Sequence, residues 1–132
     1  MKYTLIILFF IITNTIGQSN LDIELFIDIN TGKPYSGDFE IVDENGNVVF
    51  VTEYNEGIKY GREKTFYKSG VLKSNGKYMN GLLDADFMEY YEDGSLKSLS
   101  HYFNGIKGGS FMIIDTDGNI TGMEYKNGEL IK

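Results

Sequence analysis

Phe66-Tyr67-Lys68-Ser69-Gly70-Val71-Leu72-Lys73-Ser74-Asn75-Gly76-Lys77-Tyr78-Met79-Asn80-Gly81 decides the fold, because its outline returns 24 residues later as Tyr90-Tyr91-Glu92-Asp93-Gly94 through Tyr102-Phe103-Asn104-Gly105. Self-similarity at a fixed period outranks local propensity as evidence of architecture. Working outward, Gly46, Gly70, Gly94 and Gly118 are spaced by 24 residues, each after a turn-forming residue: Asn45, Ser69, Asp93 and Asp117. A second series, Gly57, Gly81, Gly105 and Gly128, is spaced 24, 24 and 23 and follows Glu56, Asn80, Asn104 and Asn127. The register slips once, between Ile120 and Tyr125.

Side chains keep the same period, which turns alone do not require. Tyr54, Tyr78, Tyr102 and Tyr125 share one column; Val48, Leu72, Leu96 and Ile120 share a second; Val42, Phe66, Tyr90 and Ile114 share a third. A looser column reads Phe39, Glu63, Phe87 and Phe111, and two residues before it stand Gly37, Gly61, Ala85 and Gly109. The copies run 37–60, 61–84, 85–108 and 109–132. Asn-Gly and Asp-Gly favour the positive-φ conformations of tight hairpin turns. Turns about every 11 or 13 residues leave room for strands and none for helices of ordinary length. The expected fold is therefore all-β, a β-hairpin in each copy, the hairpins pairing edge to edge in a long twisted antiparallel meander. Ahead of it, 18–36 reads as an opening strand and capping half-repeat, with Leu21, Ile23, Leu25, Ile27 and Ile29 forming the apolar face and Asp22, Glu24, Phe26 and Asp28 the wet one.

Residues 1–17 have the pattern of a secretory signal peptide. Lys2 supplies the charged start, Leu5 to Ile12 are eight consecutive apolar residues, and Thr15 and Gly17 place small residues ahead of a cut before Gln18. This predicts export, to the periplasm, cell envelope or medium. The exported chain would be left without a transmembrane helix, since no second long apolar run follows.

Composition narrows the function classes. The 132 residues suffice for one domain of ordinary size. With 12 Lys plus Arg against 19 Asp plus Glu, the net charge is -7, which argues against nucleic acid as a partner. Removing 1–17, with Lys2, leaves 11 against 19, or -8. There is no Cys, so no disulfide supports the exported chain, and backbone pairing and apolar burial must hold it.

The pattern Gly-x-Phe, an aromatic pair as in Phe66-Tyr67 and Tyr90-Tyr91, then x-x-Gly-x-Leu-Lys and Tyr-x-Asn-Gly, resembles MORN-like repeats. More narrowly it is similar to the variant named the YwqK-family antitoxin. The resemblance covers about 30–132 and implies a β-hairpin scaffold with a binding surface, in some members lipid-associated, and a toxin as one kind of partner. It carries over no catalytic residue.

Chemistry-bearing residues are sparse. His101, the single histidine, falls in phase with Glu53, Lys77 and Glu124, which predicts an exposed strand position rather than a catalytic base. Asp115-Thr116-Asp117-Gly118-Asn119 superficially resembles a calcium loop, but an EF-hand loop starting at Asp115 needs Gly and Glu where Ile120 and Lys126 stand. Turn chemistry accounts for it, and neither a metal nor a cofactor is expected. The second copy alone is basic: Arg62, Lys64, Lys68, Lys73 and Lys77 against Glu63 and Asp84. Those five form a candidate patch for an anionic lipid or glycan. The Tyr54, Tyr78, Tyr102 and Tyr125 rings are expected to stack as the packing of a thin sheet. The leading expectation is a non-enzymatic exported module that binds a protein partner. Its alternatives are the anionic ligand of the basic copy and an antitoxin or immunity role.

Overall fold

The computed structural model describes residues 9–12 and 23–132, and all regular structure there is β. β1 (Phe9–Ile12) pairs antiparallel with β2 (Ile23–Asp28), which pairs in turn with β3 (Lys33–Pro34). Of the expected leader, part of the apolar run lies in β1, while Lys2 and the Gly17–Gln18 junction lie outside the described residues. The remaining elements are β4 (Gly37–Val42), β5 (Val48–Asn55), β6 (Ile58–Phe66), β7 (Leu72–Met79), β8 (Leu82–Leu83), β9 (Ala85–Tyr90) and β10 (Leu96–Phe103). They continue through β11 (Ile106–Lys107), β12 (Gly109–Ile114), β13 (Ile120–Lys126) and β14 (Glu129–Leu130). Together these form one open antiparallel meander, ordered β14-β13-β12-β10-β9-β7-β6-β5-β4, with β8 on β7 and β11 on β10. Among the described residues no helix is long and apolar enough to cross a membrane.

The two glycine series make two different turns. Glu56-Gly57, Asn80-Gly81, Asn104-Gly105 and Asn127-Gly128 all hold positive φ at both positions, 47–52° then 77–84°, the signature of the two-residue type I′ hairpin. In the other series only the glycine is left-handed, Gly46, Gly70, Gly94 and Gly118 at 82–87°. There Asp43, Tyr67, Tyr91 and Asp115 each donate a backbone bond to the residue four on, at 2.8–3.0 Å, closing three-residue loops with a bulge. The apolar columns explain why those loops hold: Val42 lies opposite Val48, Phe66 opposite Leu72, Tyr90 opposite Leu96, and Ile114 opposite Ile120. Each loop is thus closed by an apolar cross-strand pair at its base.

Hydrogen bonds also tie each type I′ turn to the chain before it. The amides of Gly57, Gly81, Gly105 and Gly128 donate to the carbonyls of Tyr35, Lys59, Leu83 and Lys107 at 2.7–2.9 Å. Those acceptors are themselves spaced by 24 residues. Backbone pairing thus takes up the support that disulfides give many small secreted domains.

Tyr54, Tyr78, Tyr102 and Tyr125 sit directly opposite Gly37, Gly61, Ala85 and Gly109, all of which hold positive φ. Each tyrosine is thereby paired in register with a position that has almost no side chain of its own. Ala85 alone holds this conformation, at φ 112°, with a Cβ. Ala85→Gly is expected to stabilise the protein by about 1 kcal/mol, because relief of strain exceeds the added chain entropy. The readout is a rise of a few degrees in thermal midpoint; a fall would show that the position is unstrained.

The core is small and lies at the N-terminal end. Among the described residues Phe26, 4 % exposed, is the buried hydrophobic one, stacked on Tyr54 at 4.5 Å and edge-on to Phe39 at 5.0 Å and Tyr35 at 5.4 Å. This corrects the expected alternation of the opening strand, which put Phe26 among the wet positions: Ile29 is exposed, in a turn, and the buried side is that of Phe26. Backbone contacts fix the choice, since the Phe26 amide donates to Gly57 and its carbonyl accepts from Tyr35. Along the sheet the buried positions are small: Thr52, Gly76, Ser98 and Ser100. Phe39 faces Thr52 and Phe87 faces Ser100, so a large ring lies beside a small residue across each strand pair.

Candidate functional site

Direct pairing places residues on a common face. Arg62 on β6 lies opposite Lys77 on β7, and Lys64 opposite Asn75, so Arg62, Lys64 and Lys77 share one face; Lys73 alternates with Asn75 onto it. Lys68 stands in the loop between these strands. The structure therefore brings four of the five basic residues together on one surface and leaves Lys68 at its end. Arg62, Lys68, Lys73 and Lys77 are exposed, and among the described residues none of the five side-chain cations forms an ion pair, although the Glu53 carboxylate accepts from the Arg62 backbone N–H at 3.2 Å. Lys73 Nζ instead lies 5.6 Å from the centre of the Tyr67 ring. Cations directly opposed across a strand pair destabilise a sheet.

The same face changes character along the sheet. Beyond Lys64 and Asn75 its middle row continues as Met88, Leu99 and Met112. His101 lies opposite Asp86 in the neighbouring row, its Nδ1 2.7 Å from Oδ1, and its ring is edge-on to Phe103 at 4.5 Å. It is a partly exposed strand residue, as its phase predicts.

The tyrosine column lies on the other face, and its rings do not stack on one another. Members are two strands apart, about 9.5 Å, beyond the 4.5–7 Å of ring pairing. Tyr54 stacks on Phe26 and Tyr125 is edge-on to Phe111 at 6.0 Å. Beside the tyrosines stands a further column at 24-residue spacing: Tyr35 6.4 Å from Tyr54, and Lys59 Nζ 4.8 Å from the Tyr78 ring centre. Lys107 Nζ is 4.5 Å from the ring centre of Tyr125. This column, completed by Leu83, escaped the sequence reading because its members differ in chemistry; the 24-residue spacing was the available signal.

Glu63, which replaces an aromatic residue in its column, is neutralised in place by an ion pair with Lys59. Burial, and then the Glu63 carboxylate, push the Tyr78 hydroxyl up to about 12 and raise that of Tyr54. Both hydroxyls therefore remain protonated donors at neutral pH. Next along this face, Thr65 and Ser74 share a hydrogen bond of 2.6 Å, and Ser98 Oγ donates to Glu89 at 2.8 Å.

At the type I′ edge apolar side chains stand in solvent: Met79, Leu82, Phe103 at 61 % exposure and Ile106 at 53 %. Leu82 and Ile106 approach the glycines of the next turns, with 3.4 and 3.7 Å between their side chains and the place of a Cβ on Gly105 and Gly128. Met79 lies opposite Leu82 and Phe103 opposite Ile106, so each of these hairpin ends presents an exposed apolar pair.

The calcium-like loop is internally satisfied. Asp115 accepts from the Asp117 and Asn119 amides and from Asn119 Nδ2, at 2.8–2.9 Å. The Asn119 side chain, followed by its backbone N–H, holds this carboxyl below its ordinary range. Asp43 repeats the arrangement with Asn45 and Asn47. No protein-family model matches the chain, and neither does any curated protein or solved structure.

Proposed function

We propose that the protein is a non-enzymatic, exported, MORN-like repeat module that binds a protein partner in the cell envelope or outside the cell. The exposed apolar pairs at the type I′ edge, Met79 with Leu82 and Phe103 with Ile106, carry this reading. Exposed apolar surface of this kind on a small acidic protein marks an association site. The four in-phase sequence copies support the repeat assignment, and the N-terminal apolar run supports export. A toxin bound in an antitoxin or immunity role is one form the partner takes under the family resemblance. The test is crosslinked capture from envelope extracts by the full chain and by a Met79→Ser, Leu82→Ser variant. A species captured by the first and lost with the second is expected. Identical capture by both, or capture by neither, would remove the reading.

One observation favours a second reading, an anionic lipid or glycan on the β6–β7 face. The Arg62–Lys77 opposition and the neighbouring Lys64 and Lys73 maintain an unpaired cationic surface within an acidic chain. Cosedimentation with anionic vesicles or an acidic polysaccharide is then expected to fall steeply between low and physiological salt. It is also expected to vanish on charge reversal at Lys64, Lys73 and Lys77; binding indifferent to both changes would sink this reading.

A further inference from the structure

On the face that carries Arg62 and Lys77, the row nearest the type I′ turns holds one cross-strand pair from each copy: Asp38–Glu53, Arg62–Lys77, Asp86–His101 and Ser110–Glu124. The last two are satisfied within the pair, His101 Nδ1 lying 2.7 Å from Asp86 Oδ1 and Ser110 Oγ donating to Glu124 at 3.1 Å. The first two set like charge against like, two carboxylates and then two cations, which destabilises each hairpin taken alone. They do not neutralise one another across the β5–β6 joint either. Glu53 accepts from the Arg62 backbone N–H, and among the described residues none of these four side chains forms an ion pair. One row on, Glu40 and Lys64 repeat the contrast on either side of Val51.

The sign of this face therefore reverses across a line midway between β5 and β6. A half-turn about an axis along that line, just above the face, sets β4–β5 of a second copy over β6–β7 of the first, and the reverse. Asp38 then lies over Lys77 of the second copy and Glu53 over its Arg62, each contact occurring twice. The face is open to such a copy: the N-terminal segment packs on the other face, where Phe26 meets Tyr54 and Phe39, and Asp38, Glu40, Arg62 and Lys77 are exposed. We propose that the β4–β7 face is an isologous contact between two copies of this chain, each covering the other's cationic hairpin with its acidic one. Association relieves both like-charged oppositions at once, and Val51 supplies an apolar centre beside the axis. Four strands of six to nine residues cover about 500 Å² in each copy, or about 1,000 Å² in all. That is the lower limit of a specific interface, so the pair is weak and reversible. The inference goes beyond the protein-binding reading, which uses the apolar edge, and it competes with an anionic lipid or glycan for the same cations.

Sedimentation equilibrium of the full chain tests it at about 10 mM and about 1 M salt, between which the Debye length falls from about 30 Å to about 3 Å. Dimers are expected at low salt, with dissociation at least about 10-fold stronger at high salt. Asp38→Lys and Lys77→Glu, each made alone, bring like charges together twice in the pair, and each is expected to weaken it at least about 10-fold. Within one chain the same substitutions set opposite charges across their strand pairs, so the thermal midpoint is expected to hold or rise, which separates loss of the dimer from loss of the fold. An equal mixture of the two variants has opposite charges at both contacts and is expected to recover the dimer. A monomer at low salt, dimers indifferent to both substitutions, or a mixture no more associated than its components would overturn the assignment. A low-salt monomer that cosediments with anionic vesicles would overturn it in favour of the lipid reading. Capture that depends on Met79 and Leu82 is judged separately, so the protein-binding reading stands or falls on its own test.

Discussion

Phe26→Ala is expected to lower the unfolding free energy by about 3 kcal/mol, a large share of the stability of so small a domain. The ring is enclosed by Tyr35, Phe39 and Tyr54, which come from three separate segments. Its loss leaves a cavity that backbone hydrogen bonds of β2 to Tyr35 and Gly57 prevent from collapsing. Urea titration should show a lower midpoint with an unchanged slope. A change under about 1 kcal/mol would mean that the N-terminal segment contributes little packing to the sheet.

Gly57→Ala is the second large effect, and Gly118→Ala is its control. Both glycines have a φ near 80°, so both substitutions incur the penalty of about 1–2 kcal/mol for an L-residue in left-handed space. A Cβ at Gly118 meets nothing within 4 Å, whereas one at Gly57 lies 3.0 Å from the Phe26 carbonyl oxygen and 3.3 Å from the Phe26 nitrogen. Backbone atoms cannot rotate aside as a side chain does. Gly57→Ala should therefore cost about 1–2 kcal/mol more than Gly118→Ala in chemical denaturation. Equal costs would show that the contact between β2 and the first type I′ turn is loose.

The period made the strand order legible before the structure, because x-Gly turns fix where the chain reverses and the apolar columns fix which residues meet across each reversal. It did not separate the two turn types, whose difference lies in the φ of Glu56, Asn80, Asn104 and Asn127 rather than in their glycines. Phe26 was misread because alternation over 21–29 fits apolar residues to one side equally well, while the choice of side is made by an aromatic cluster distant in sequence. The small buried positions were hidden for a related reason: Thr52, Gly76 and Ser100 share only their size. At the candidate sites, the charge count located the basic face. The apolar edge needed exposure, and the opposition of like charges at Asp38–Glu53 and Arg62–Lys77 needed the strand register.

Photo-crosslinking from the type I′ edge tests the central claim, that this edge is the working surface. A benzophenone amino acid placed at Leu82, with Glu44 in an exposed loop at the opposite ends of the strands as control, is irradiated in cells producing the full chain. The account predicts a discrete adduct from position 82 and none from position 44. Adducts of equal yield from both positions, or from position 44 alone, would contradict it.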